Sequence, residues 1–152
     1  DQTMTRAQFA AIMVRGLGLS TRTADKFTDV RPTDWFASYV GAAYAYGIVN
    51  GTSASAFTPN GTITRQEAAV MLSRAAVLCG LETGMTEEEV SAALAQFGDG
   101  DSVASWARSS LAWCADNGLT QGWETLEPTT PILRAEVARM LAVLLKNAAL
   151  LG

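Results

Sequence analysis

A mainly α-helical repeat domain is predicted by three features of the sequence: amphipathic helical stripes, capping-box tetrapeptides ahead of them, and an internal repeat. The 152 residues are 49% hydrophobic and 17% charged, so the chain carries enough apolar surface to offset its conformational entropy. That length suits one domain with a continuous core. We therefore expect a single domain over residues 1–152.

The repeat is visible as one order of motifs that occurs twice. Trp35 and Trp106 are 71 positions apart, as are Gly51 and Gly122. A third copy contributes only its closing motif, at residues 4–8. The predicted organisation is a partial unit at about 1–20, full units at about 27–80 and 97–146, and a short helical insertion at about 82–96.

Each unit is predicted to fold as a helix, a glycine-bounded loop and a second helix. The first helices begin near Trp35, where Asp34 or Thr33 offers a cap, and near Ser105. Glycines follow them at the usual C-terminal position, Gly47 and Gly118.

The second helices open on capping boxes, because a Thr side chain can satisfy the amide three residues on. These boxes span residues 5–8 and 64–67, and a third, at 86–89, heads the insertion helix. Behind the boxes, apolar residues recur at i, i+3, i+4 and i+8, which indicates buried helix faces. Those positions are Phe9, Ile12, Met13 and Leu17; Ala68, Met71, Leu72 and Ala76; and Val137, Met140, Leu141 and Leu145.

An arginine occupies the first position of each closing helix, at Arg6, Arg65 and Arg134. A cation there is disfavoured by about 0.3–1 kcal/mol, because the helix N-terminus carries a partial positive charge. The recurrence favours an anion-binding role, in which an exposed guanidinium beside free amides receives a carboxylate or phosphate. The alternative is a structural ion pair, with Asp29 or Asp99 as the partner.

The tryptophans are open to two interpretations. Trp35 and Trp106 lie at helical spacing with apolar residues, which favours packing in the core over contact with a ligand. Trp123 has Thr52 as its counterpart, so it is not a feature of the repeat and is a better candidate for exposure.

Several classes of function are excluded or disfavoured by composition. The net charge of −4 and the lack of a Lys/Arg run argue against a nucleic-acid partner. No apolar stretch approaches the roughly 18–20 residues that span a bilayer, so no membrane insertion is expected. The opening residues do not form a signal peptide, so the sequence leaves export open.

No catalytic, cofactor or metal site is predicted. Histidine is absent, which removes the commonest general base and transition-metal ligand. Asp99, Asp101 and Asp116 are near one another in sequence, but no such pair recurs between the repeats. Nor do Asp99 and Asp101 belong to a complete calcium loop. Cys79 and Cys114 are interpreted as buried free thiols rather than a disulfide.

The motif order resembles the S-layer homology repeat. The segments that carry the likeness are Phe27–Val30, Gly47–Gly51, Phe57–Pro59 and Ile63–Glu67, with their counterparts in the later unit. The resemblance implies a pseudo-threefold, mainly helical domain with a central helical bundle and protruding lobes. It also implies grooves that bind secondary cell-wall polysaccharide, often pyruvylated, and so attach surface proteins to the bacterial cell wall.

The resemblance also implies which residues bind the ligand. Carried over to this chain, the family's binding residues are Arg6, Arg65, Arg134, Asp29, Asp99, Trp35, Trp106, Gly51 and Gly122. The expected function is therefore non-covalent anchoring, at the extracellular surface, through an anionic cell-wall polysaccharide. No enzymatic activity, cofactor or metal is expected.

Three departures weaken parts of this assignment. The first repeat lacks its leading half here, Leu133 stands where the family has a capping threonine, and residues 97–101 differ from the family's Phe-x-Asp-Val. A second function also stays open: a protein–protein interaction or S-layer self-assembly module, whose partners would be S-layer or other surface proteins.

Overall fold

The computed structural model describes residues 2–23 and 25–151, and that part of the chain is mainly α-helical, as predicted. The helices are α1 (Arg6–Leu17), α2 (Ala37–Ala45), α3 (Arg65–Leu78), α4 (Glu87–Leu94), α5 (Arg108–Asp116) and α6 (Arg134–Ala149). Short 3-10 turns occupy Gly100–Ser102 and Ser105–Ala107. None of the described helices has the length and apolarity to cross a membrane.

The chain forms two compact units, which differ from the sequence repeats. The N-terminal unit contains residues 3–63, and the C-terminal unit contains Gln2 with residues 64–151. The boundary falls just before α3, the closing helix of the first full repeat. That helix therefore belongs to the same unit as the loops of the next repeat. The single domain predicted for residues 1–152 stays a prediction.

Each unit has its own apolar core. In the N-terminal unit α1 packs on α2, and Phe9, Met13 and Val40 are buried. In the C-terminal unit α3 contacts both α5 and α6, while α4 packs on α5. The predicted stripes are buried except at Ile12, Leu17 and Leu145, which are half-buried.

The predicted caps are confirmed at both ends of the helices. Thr5, Thr64 and Thr86 each accept a hydrogen bond from the amide three residues on, and the side chain at that residue bonds back. Gly47 and Gly118 have φ of +77° and +83°, a conformation that suits a residue without a Cβ.

The first helix of each full repeat begins later than predicted. α2 starts at Ala37 without a side-chain cap, because the Asp34 carboxylate instead accepts from the Arg31 amide at 2.8 Å. Trp35 therefore precedes the helix and is 58% exposed, and Trp106, in the 3-10 turn before α5, is 59% exposed. The preference for burying these two tryptophans in the core is wrong.

The closing helices α1 and α3 each donate their first amides to a loop of the following repeat. In the N-terminal unit, the amides of Arg6 and Ala7 donate to the carbonyls of Gly61 and Pro59 at 2.8 and 3.0 Å. These bonds satisfy helix N-terminal amides, which have no partner within the helix itself.

The C-terminal unit repeats this docking at the start of α3. The amides of Arg65 and Gln66 donate to the carbonyls of Thr130 and Pro128, both at 2.9 Å. The carbonyl groups of the loop thus cap the helix at the positions where an anion would otherwise bind.

An aspartate clamps each of these loops from the other side. Asp29 accepts from the amides of Phe57 and Thr58, both at 2.8 Å. Thr58 has a φ of +57°, in the left-handed region that non-glycine residues rarely adopt. The carboxylate therefore holds a strained residue in place.

Asp99 makes the equivalent clamp in the C-terminal unit. It accepts from the amides of Leu126 and Glu127 at 2.9 and 2.8 Å, and Glu127 has a φ of +43°. Burial raises the pKa of Asp99, but hydrogen bonds from the amides and the charge of Arg65 outweigh it, so the pKa lies below its usual 3.8. The pKa of Asp29 is lowered by the same balance of causes.

Both cysteines are free thiols, as predicted. Cys114 is buried, and that burial raises its pKa to about 12. Cys79 is only half-buried.

Asp99→Asn is expected to lower the free energy of unfolding at pH 7 by about 1–2 kcal/mol, because hydrogen bonds to a charged acceptor are lost. A carboxylate whose folded pKa is depressed stabilises the fold above its unfolded pKa. The wild-type advantage should therefore be full at neutral pH and disappear as the pH falls below about 3.8. Urea unfolding of both proteins between pH 2 and 7 measures this.

The matched control is Asp101→Asn, which removes an exposed carboxylate two residues along the chain. It should leave the free energy of unfolding within about 0.5 kcal/mol of the wild type. A wild-type advantage over Asp99→Asn that does not change with pH would contradict the clamp.

Candidate functional site

Arg6 is held inside the N-terminal unit and is only 5% exposed. Its Nε donates to the Phe57 carbonyl and one Nη to the Asn50 carbonyl, both at 2.7 Å. The guanidinium also lies over the Phe57 ring, 4.7 Å from the centroid. The guanidinium thus bonds to one carbonyl in the docked loop and to another at Asn50, so Arg6 holds the loop against α1.

Arg65 is pinned in a related way in the C-terminal unit, where its side chain is 13% exposed. One Nη donates to the Leu126 carbonyl at 3.1 Å, and the other forms an ion pair with the buried Glu136. The guanidinium lies 4.0 Å from the centroid of the Trp123 ring. Its Nε is buried and has no hydrogen-bond partner within the described residues.

The expectation of exposed guanidinium groups beside free amides is therefore wrong for Arg6 and Arg65. The first amides of α1 and α3 are already bonded to loop carbonyls, and both guanidinium groups are engaged. The physical reason is that the following repeat supplies oxygen atoms to both groups. Its loop carbonyls accept from the helix amides and from the guanidinium, and its Glu136 forms an ion pair with Arg65.

Arg134 differs from the other two arginines because it is exposed. Its amide donates to the Gln2 carbonyl at 2.9 Å. Leu133 has no oxygen with which to cap α6, but the Glu136 carboxylate still accepts from the Leu133 amide at 2.9 Å. The predicted loss of the threonine cap at this helix is confirmed.

A groove of about 390 Å³ lies beside Arg65 in the C-terminal unit. It combines two arginines, a tryptophan, three glutamates and a glycine. The lining residues are Arg65, Gly122, Trp123, Glu124, Thr125, Glu127, Leu133, Ala135, Glu136 and Arg139. Of the residues predicted to bind a ligand, the groove thus brings together Arg65 and Gly122.

The other predicted residues of the C-terminal unit are not in the groove lining. Asp99 acts on it indirectly, because it clamps the amides of two residues in the loop that borders the groove. Trp106 and Arg134 are exposed but do not line the groove.

The remaining predicted residues lie in the N-terminal unit. There Asp29 clamps the loop, Arg6 pins it, and Trp35 is exposed. Gly51 has a packing role, since a Cβ at that position would lie 2.5 Å from the carbonyl oxygens of Ser53 and Ala56. A ligand-binding role for these four residues stays a prediction.

Arg139 is a charged lining residue that the repeat pattern did not indicate. It lies on α6, and its Nη1 donates to the Gln121 carbonyl at 3.2 Å. The corresponding residues of α1 and α3 are Ala11 and Val70. A search for departures from the repeat, rather than for recurring residues, would have found it.

Comparison with known proteins gives a family for this chain. The sequence profile of the S-layer homology domain matches residues 26–69 and 96–138. The chain is 34% identical over 150 residues to an amylopullulanase of Thermoanaerobacterium thermosulfurigenes, with 97% of this chain and 8% of that protein aligned.

Two further relatives are surface proteins by name. The chain is 32% identical to the surface-layer 125 kDa protein of Lysinibacillus sphaericus, over 96% of this chain and 12% of that protein. Over 49% of this chain and 8% of the other, it is 40% identical to the middle cell wall protein of Brevibacillus brevis. The chain therefore spans a small fraction of the length of these relatives.

A solved structure shares the fold. The undecaheme cytochrome from the S-layer of Carboxydothermus ferrireducens matches with a TM-score of 0.53 and 20% sequence identity, over 97% of this chain and 18% of that one. The likeness extends to the fold alone.

The matched repeats cover more than half of the sequence, and the aligned relatives include S-layer and cell-wall proteins. They indicate an extracellular location at the cell surface and a general role in surface anchoring. The chain belongs to the S-layer homology domain family.

Proposed function

We propose that this chain anchors its protein to the cell wall by binding an acidic secondary cell-wall polysaccharide in the groove beside Arg65. The observation that carries the proposal is the joint presence, in one groove, of a tryptophan, guanidinium groups and carboxylates. This combination suits a sugar, which presents an apolar ring face together with hydroxyl groups.

The carboxylates of the groove suit a glycan because they accept hydrogen bonds from its hydroxyl groups. Glu124 is exposed, and Glu127 accepts from the Thr125 hydroxyl at 2.9 Å. The arginines suit an acidic substituent, such as the carboxylate of a pyruvate ketal. Gly122, with a φ of +91°, lets the loop turn tightly at the groove wall.

The role proposed is binding without catalysis. Glu136 is committed to Arg65 and to the Leu133 amide, so it is poorly placed to exchange protons with a substrate. Asp99, one of the three aspartates that lie close together in the sequence, is committed to two backbone amides.

The test is co-sedimentation of the chain with insoluble cell walls and titration with polysaccharide released from them. Walls from Lysinibacillus sphaericus and Thermoanaerobacterium thermosulfurigenes, the organisms of two relatives, are the probes. We expect binding to the released polysaccharide. Retention on a sugar-free S-layer protein lattice, with no binding to either polysaccharide, would instead support the protein–protein interaction module.

Trp123→Ala is expected to weaken binding of the polysaccharide by roughly tenfold, because the groove loses its aromatic surface. Isothermal titration calorimetry measures the affinity, and circular dichroism checks that the variant is folded. Trp106→Ala is the control, since Trp106 is exposed but outside the groove lining. The reverse pattern, with only Trp106→Ala impaired, would favour the site predicted from the family resemblance.

Arg65→Ala is expected to lower the free energy of unfolding by about 3 kcal/mol, because it leaves the buried Glu136 carboxylate unpaired. Arg134→Ala, the same change at the matching position of the next repeat, should cost less than about 0.5 kcal/mol, since Arg134 is exposed. Urea unfolding compares the two variants. Equal stabilities would show that the ion pair between Arg65 and Glu136 does not stabilise the fold.

A further inference from the structure

We propose that Arg139 is the residue that selects an acidic glycan in the groove beside Arg65, and that Arg65 itself holds the groove in shape. This inference rests on the proposed function and assigns its charge recognition to one side chain. The ligand group recognised is a carboxylate carried by the polysaccharide.

The two arginines of the groove differ in how far neighbouring groups already engage their charge. Arg65 is ion-paired with Glu136 and donates to the carbonyls of Thr125 and Leu126. Arg139 is exposed. Within the described residues its guanidinium makes one hydrogen bond, to the Gln121 carbonyl, and has no carboxylate within 4.0 Å. Its charge is thus the one available to a ligand.

The side chain of Arg139 is oriented by a hydrogen bond rather than extended freely into solvent. The bond from its Nη1 to Gln121 fixes one side of the guanidinium fork at the groove wall. Gly122 lies directly beside it: a Cβ built there would be 3.5 Å from the same Nη1. A guanidinium held in one position loses less conformational entropy when it binds a carboxylate.

Equivalent carbonyl groups in the two units accept hydrogen bonds from different arginines. The carbonyl of Asn50 in the N-terminal unit accepts from Arg6, whereas the equivalent carbonyl of Gln121 accepts from Arg139. With that acceptor taken, the Arg65 guanidinium bonds to Glu136 and lies over Trp123 instead. The substitution of Arg for the Ala and Val of the other copies thus gives this groove its own chemistry.

Glu124 lines the same groove as Arg139 and carries the opposite charge. A like-charged side chain disfavours a carboxylate ligand, so the two residues should act in opposite directions on acidic polysaccharide. Both should matter little once the carboxylates of the polymer are neutralised.

The experiment titrates the full chain with the two polysaccharides named above, each in its native form and after conversion of its carboxylates to amides with carbodiimide and ammonia. Arg139→Ala is expected to weaken binding of the native polymer about tenfold. Arg139→Lys should lose about threefold, because lysine keeps the charge but not the planar fork. Glu124→Gln should strengthen binding about twofold to threefold. All three should bind the amidated polymer with nearly the affinity of the wild type.

Lys146→Ala is the matched control, because Lys146 is an exposed cation two turns further along the same helix. It removes the same charge and should change the affinity by less than about twofold, at low salt as well as at 0.15 M.

The outcomes separate the inference from the proposed function. If the wild type binds and Arg139→Ala, folded by circular dichroism, binds the native polymer equally well, the inference fails and the anchor function stands. Equal losses for Arg139→Ala and Lys146→Ala would also overturn it, since net charge alone would explain both. If the wild type binds neither polysaccharide in either form, the proposed function fails, and the inference with it.

Discussion

The docking of a carbonyl-rich loop onto the start of a closing helix is the interaction on which the rest of the structure depends. The loop carbonyls at Pro59 and Gly61 cap α1, and those at Pro128 and Thr130 cap α3. The arginine at the head of each helix reaches back to the same loop. An arginine that is unfavourable for an isolated helix is thereby matched to oxygen atoms that only the folded unit supplies.

The aspartate clamps complete this arrangement from the other side of the loop. Left-handed backbone at Thr58 and Glu127 is costly without glycine, by about 1–2 kcal/mol each. The hydrogen bonds that the amides of those residues and of their neighbours donate to the carboxylates of Asp29 and Asp99 offset that cost. An arginine from one repeat and an aspartate from the next therefore act on the same loop, Arg6 with Asp29 and Arg65 with Asp99.

Local chemistry was predictable from the sequence, and long-range chemistry was not. The capping boxes at Thr5, Thr64 and Thr86 and the terminal glycines depend on neighbours within four residues, and all of them are found. The exposure of Arg65 depended on Leu126 and Glu136, 61 and 71 positions away. Helix electrostatics alone gave the wrong environment, because the compensating oxygens come from another repeat.

The sequence likewise predicts only some residues of the candidate site. Arg65 and Gly122 recur in the motif and do line the groove. Trp35 and Trp106 were assigned to the core because their spacing is helical, yet neither lies within an α-helix, and so both are exposed. Arg139 is not predicted because a search for a repeat finds only residues that recur. The equivalent residues in the other copies are alanine and valine.

The offset between sequence repeat and compact unit has a consequence for how such modules duplicate and recombine. A gene segment cut at the repeat boundary near Leu81 would carry a closing helix without the loop that caps it. A segment cut just before Thr64 would instead carry a closing helix together with the loop that caps it. Shuffling is therefore expected to preserve folding when crossovers fall inside the motif rather than between copies of it.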